Sequence, residues 1–157
     1  MSKVIGVFNT REQAEKAIVT MRQQGFKDNE ISIVSKKENI ENNNNEGIRF
    51  DSIADGTTTG GILGGVAGLL ASAGALAIPG IGPIVAAGPI AAMLTGAVGG
   101  GIAGGLIDMG IPAAESRRYE EEVKKGGILV VAQSDKNKVN DAASIMRANG
   151  AYDVKTE

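Results

Sequence analysis

The chain has 157 residues, 18 acidic against 16 basic side chains for a formal net charge of −2, and neither cysteine nor histidine. A near-neutral balance argues against an electrostatic nucleic-acid binder, and the missing residue types remove thiol catalysis, thiolate zinc sites, imidazole ligands and the commonest general base. Absence of cysteine fits a reducing compartment, and the stretch from Met1 to Glu12 reaches charge too early to hold a signal-peptide core, so a cytoplasmic protein is expected.

Val4 to Phe8 predicts a short strand. Thr10 followed by Gln13 is a capping-box signature, and Ala14, Ala17, Ile18 and Met21 then fall on one helical stripe. Gly25 sits where a left-handed glycine would end that helix, and Ile31 to Val34 returns as a second strand. A polar linker follows, Lys36 to Gly47, with Asn42 to Asn45 as a run of four.

Between Asp55 and Asp108 no residue is charged. The segment predicts two apolar helices folded back on each other, Gly60 to Ile78 and Ile84 to Ile107, with Pro79, Gly80, Gly82 and Pro83 setting the turn. Each approaches or exceeds the ~20 residues that cross a bilayer. Its glycines recur at helical spacing: Gly60, Gly64 and Gly68 in one row, Gly61 and Gly65 beside it, then Gly88, Ala92, Gly96, Gly100 and Gly104, with Ala97, Gly101 and Gly105 alongside. Small residues four apart make grooves in which another backbone can approach closely. A glycine in a water-exposed helix costs about 0.8 to 1 kcal/mol relative to alanine, so close packing must offset the rows. Flexible linkers are polar and Gly/Ser-rich, whereas this segment interleaves Ile62, Leu63, Val66, Leu69, Leu70 and Leu76.

Pro112 predicts the first turn of a helix that runs through Lys125 and stops at Gly126-Gly127. Glu120 with Lys124 and Glu121 with Lys125 are i, i+4 pairs on a solvated face. Ile128 to Ala132 is a strand, Ser134 or Asp135 a cap, and Val139, Ala142, Ala143 and Met146 a second apolar stripe ending at Gly150. A short polar strand around Tyr152 to Lys155 closes the chain. Shifted by 125, the first unit overlies this one, Met21-Arg22 on Met146-Arg147 and Asp28 on Asp153. The fold class expected is α+β: a duplicated βαβ, ferredoxin-like domain, one face of its four-stranded sheet buried under two helices, interrupted by an apolar glycine-rich helical hairpin. The boundaries are residues 1–35 for the first half, 36–55 for the linker, 56–108 for the hairpin and 109–157 for the second half.

No catalytic, cofactor or metal site emerges. Neighbouring Glu120, Glu121 and Glu122 point apart on a helix. Gly99, Gly101 and Gly104 fit G-x-G-x-x-G, but lack the preceding strand and turn of a dinucleotide site.

The run Val4-Ile5-Gly6-Val7-Phe8-Asn9-Thr10-Arg11-Glu12-Gln13-Ala14-Glu15-Lys16-Ala17-Ile18, with Gly25-Phe26 and Ile31-Ser32-Ile33-Val34, resembles the bacterial heat-induced general stress protein family of the YflT type. Gly110-Ile111-Pro112, Arg118 to Lys124 and Gly126 to Val131 resemble the second half of longer relatives that carry a glycine-rich insert. The resemblance implies a stress-associated protein without an assigned activity, so no catalytic residues carry over. The function expected is therefore non-enzymatic: a stress protein whose hairpin mediates membrane association, with both termini cytoplasmic and basic residues on both flanks, self-assembly, or both. A soluble homo-oligomeric scaffold with its hairpins packed inside is the first alternative, and a small-molecule stress sensor the second. The partner expected is the chain itself, with a lipid membrane as a second candidate; no nucleic acid is expected, and the sequence identifies no small-molecule substrate.

Overall fold

A computed structural model describes residues 1–36, 74–78, 81–96 and 101–157. The described elements are β1 (Ser2–Phe8), α1 (Arg11–Gln23), a single 3-10 turn (Asp28–Glu30), β2 (Ile31–Lys36), β3 (Gly74–Ile78), β4 (Gly82–Ala87), α2 (Pro89–Gly96), α3 (Gly101–Asp108), α4 (Ala113–Lys124), β5 (Ile128–Ser134), α5 (Lys136–Ala148) and β6 (Asp153–Thr156). The fold is mixed α+β. Six strands form one sheet in the order β3-β4-β2-β5-β1-β6, antiparallel at every pairing.

Local chemistry sets the helix ends. Thr10 Oγ1 accepts the Gln13 amide at 3.2 Å and Asp135 Oδ1 accepts the Lys138 amide at 3.0 Å, each satisfying a donor that the first helical turn leaves unpaired. At the other end Gly25 has φ +96° and Phe26 donates to the Met21 carbonyl. Gly150 likewise has φ +96°, and Ala151 donates to Met146. These bonds lie 125 residues apart, the offset at which the sequence overlies itself. They are glycine-terminated caps of the Schellman type.

β1 is buried over Val4 to Phe8 without alternation, because helices cover both faces of the sheet. On one face Val4, Phe8, Ile31, Ile33, Ile128 and Val130 pack with α1 and α5, notably Ile18, Met21, Val139 and Met146. On the other, Ile5, Val7, Val34, Leu129 and Val131 pack with Ile90 and Leu94 of α2, Ile102 and Leu106 of α3, and Tyr119 and Val123 of α4. This corrects the expectation of a sheet buried on one face only: the apolar segment supplies much of the second layer.

The helical hairpin is corrected where it is described. Gly74–Ile78 and Gly82–Ala87 are paired strands, Ile78 opposite Gly82 and Gly74 opposite Ala86, and β4 extends the sheet from β2. Proline explains part of the change: Pro89, inside the expected second helix, would remove a backbone donor there and clash with the preceding turn, and it fits only a first turn, which it occupies in α2. A helix over Ile84 to Ile107 is further excluded by φ +84° at Gly88 and +58° at Gly101. Gly82 and Pro83 thus belong to a β-hairpin rather than a helical turn; Pro79 and Gly80 lie outside the described residues.

Candidate functional site

The layer formed by α2, α3 and α4 is where the sequence placed its candidate packing residues, and its geometry begins at one corner. Gly88 links β4 to α2 directly over β2; a Cβ added there would lie 2.1 Å from the Ile31 carbonyl oxygen and 2.9 Å from Ser32 Cα. With φ +84° as well, the position admits only glycine. The close approach lets the buried Ser32 hydroxyl accept the Ile90 amide at 3.2 Å, so a side chain of β2 caps α2.

α3 is capped from α4. Glu120 Oε2 accepts the Ala103 amide at 2.8 Å, placing a carboxylate at the positive end of the helix. The sequence assigned Glu120 to a solvated pair with Lys124; its carboxylate instead reaches this backbone donor. Gly110, at φ +91°, lies just beyond the end of α3, where Ile111 donates to the Leu106 carbonyl, and the fully buried Ser116 hydroxyl donates to the Ile111 carbonyl at 3.2 Å.

Among the described glycines of the rows, Gly105 faces a neighbouring helix most tightly. A Cβ there would stand 2.8 Å from Leu94 Cδ2 and 3.3 Å from its Cγ, so α2 lies in the groove that the missing side chain leaves on α3. This contact is made within one chain. Gly104 is half-buried in α3, Gly101 opens that helix and Gly96 closes α2. Gly96 and Gly104 therefore sit on different helices rather than in one row. Gly60, Gly61, Gly64, Gly65, Gly68 and Gly100 lie outside the described residues.

Two polar clusters complete the description. Glu30 accepts the Lys27 amide at 2.8 Å, the Ser134 hydroxyl at 2.8 Å and the Lys138 ammonium at 3.1 Å. Lys138 also donates to the Gly25 carbonyl and lies 4.7 Å from the centre of the Phe26 ring. The Lys27 amide, with Ser134 and Lys138, holds the Glu30 carboxyl below the usual range against the opposing effect of desolvation. The second cluster joins α4 to β6. Glu115 pairs with Lys155, Arg118 with Asp153 at 3.4 Å, and the Tyr152 hydroxyl donates to Glu122 at 2.6 Å. Burial, reinforced by the Glu122 carboxylate, raises the Tyr152 phenol well above its ordinary value. Burial likewise raises that of Tyr119, whose ring is fully enclosed.

Sequence reasoning missed the Ser32 cap, the Gly88 corner and both clusters. The signals available were the Gly88-Pro89 dipeptide and a serine at position 32 inside an otherwise apolar run; the clusters join residues too distant in sequence to leave a local mark. Among the described residues no three Asp or Glu side chains converge as metal ligands. Nor is any helix there long and apolar enough to cross a membrane.

Residues 3–78 match the family model of the heat induced stress protein YflT domain. The matched stretch runs from β1 through β3 and includes the opening motif on which the resemblance rests. Neither the curated proteins nor the solved structures compared gave a match.

Proposed function

We propose, from the stress-protein domain that residues 3–78 match, that this is a bacterial general stress protein that works without catalysis, by associating with further copies of itself as a soluble scaffold. The observation that carries the reading is the contrast between the two edges of the sheet. β6 brings Asp153 and Lys155 to one edge, whereas β3, Gly74-Ala75-Leu76-Ala77-Ile78, has no charge and pairs among the described residues with β4 alone. Natural sheets guard their edges with charge, proline or coverage, and an unguarded strand is a template for another. Two β3 strands paired antiparallel about a two-fold axis place no like charges opposite each other.

The described part of the apolar segment favours a scaffold over a membrane hairpin, since Ile84, Ile90, Leu94, Ile102 and Leu106 are buried inside the chain's own core. The strand order β6-β1-β5-β2, with α1 and α5 on one face and matching cap bonds, supports reading the domain as a duplicated ferredoxin-like unit. The test is particle mass by light scattering after gel filtration, beside flotation on liposomes. One defined species larger than the 16.0 kDa chain, remaining below the liposomes, is expected. Leu76→Lys should reduce its mass by placing a charge on the edge. A monomer, flotation with lipid, or an unchanged mass in Leu76→Lys would each overturn the reading.

A further inference from the structure

The contact between α4 and β6 differs in kind from the apolar packing of the two sheet faces. β6 is an edge strand, half-buried at Asp153 and Val154 and exposed from Lys155 onward, so it adds little apolar surface to the core. Its side chains meet α4 through charge. Glu115, Arg118 and Glu122 stand at i, i+3 and i+7 on one helix face and take Lys155, Asp153 and Tyr152 in turn. The helix presents minus, plus, minus; the strand answers with plus and minus, and Tyr152 just before it adds a hydroxyl.

Burial is uneven across these pairs. The side chains of Glu115 and Asp153 are 16% and 24% exposed, while those of Lys155 and Arg118 are 45% and 47% exposed. The cations are open to mobile anions, and pairs at this exposure weaken as the screening length shrinks from about 10 Å at 0.1 M salt to about 3 Å at 1 M. Opposite the seam β6 is held by a backbone ladder to β1. Lys3 and Glu157 exchange bonds of 2.8 and 2.7 Å, and antiparallel alternation makes Ile5 and Lys155 the next such pair.

We propose that the α4–β6 seam is an ionic-strength latch: in low salt the Glu115–Lys155 and Arg118–Asp153 pairs hold β6 closed on β1, and in high salt β6 opens locally and uncovers that edge of β1. The inference does not depend on self-association, because it concerns one chain and the edge opposite β3. The centre of the sheet gives an internal reference, since Leu129 to Val131 of β5 are buried on both faces and their packing is apolar.

Hydrogen exchange of the full chain, read residue by residue in 0.05 and 1 M sodium chloride against an unstructured peptide reference, tests it. The Ile5 and Lys155 amides are expected to exchange roughly five- to tenfold faster in high salt, the combined weight of two partly exposed ion pairs. The β5 amides should keep their rates. In the Asp153→Asn/Lys155→Gln double variant the β6 amides should exchange fast already in low salt and lose the salt response. Equal acceleration of β5 and β6, a β6 rate indifferent to salt, or a salt response that persists in the double variant would overturn the latch.

Discussion

Replacing Gly88 by alanine tests whether the apolar segment is docked on the sheet as described. The backbone at φ +84° costs an L-residue about 1 to 2 kcal/mol by itself. The new Cβ, 2.1 Å from the Ile31 oxygen, must retreat by more than about 1 Å to reach van der Waals separation. Because the neighbour is strand backbone, the corner moves instead, pulling Ala87 from its place opposite Ile33 and the Ile90 amide from Ser32. A buried donor left unpaired costs about 1 to 3 kcal/mol. The sum, roughly 2 to 5 kcal/mol, is a large part of the 5 to 15 kcal/mol that a domain has. Gly82→Ala is the control: its φ is +94° with nothing within 4 Å of the added Cβ, so it should lose only the backbone term, about 1 to 2 kcal/mol. Urea unfolding followed by far-ultraviolet circular dichroism, with the slope checked for constancy, reads both. A Gly88→Ala loss no greater than that of Gly82→Ala would refute the close approach to β2.

Gly105→Leu should lower stability by about 1 to 3 kcal/mol by overpacking against Leu94, which is 5% exposed and has little room to retreat. Gly105→Ala should fall within about 1 kcal/mol of the parent, since Leu94 meets the new methyl with the end of a flexible side chain and the helix gains propensity; thermal melts in which the leucine variant matches the alanine one would count against a tight α2–α3 contact. For Glu30, whose folded carboxyl lies below its ordinary 4.5, the contribution to stability is complete above that value and lost as pH falls through the lowered one. Glu30→Gln should therefore flatten the acid limb of a stability-against-pH curve, and an unchanged limb would show that the Lys27–Ser134–Lys138 cluster contributes nothing through charge.

How far the sequence spoke depended on whether the deciding interaction was local. α1 and α5 were legible because Thr10 and Asp135 cap within three residues, Gly25 and Gly150 stop the helices, and the stripes between them repeat at helical period. β3 and β4 were not. In a run of glycine, alanine, isoleucine and leucine there is no polar residue to disclose a period, and small residues four apart mark a helix groove only where a helix exists. The outcome was set by an unpaired side of β2, which β4 completes. The Gly88-Pro89 corner was the local evidence against a continuous helix, and it outweighed glycine spacing. The α4–β6 seam left no sequence signal because Glu115 meets Lys155 only after the chain has passed through β5 and α5.

The register of β1 on β5 bears on how the chain is made. Phe8 lies opposite Ile128, 120 residues further on, and β1's other neighbour, β6, comes later still. A ribosome adding about 5 to 20 residues per second therefore holds β1, apolar on both faces, without either native neighbour for roughly 6 to 24 seconds. Over that interval both apolar faces and both edges of the strand lack their native cover, the condition in which a nascent chain is most prone to aggregate.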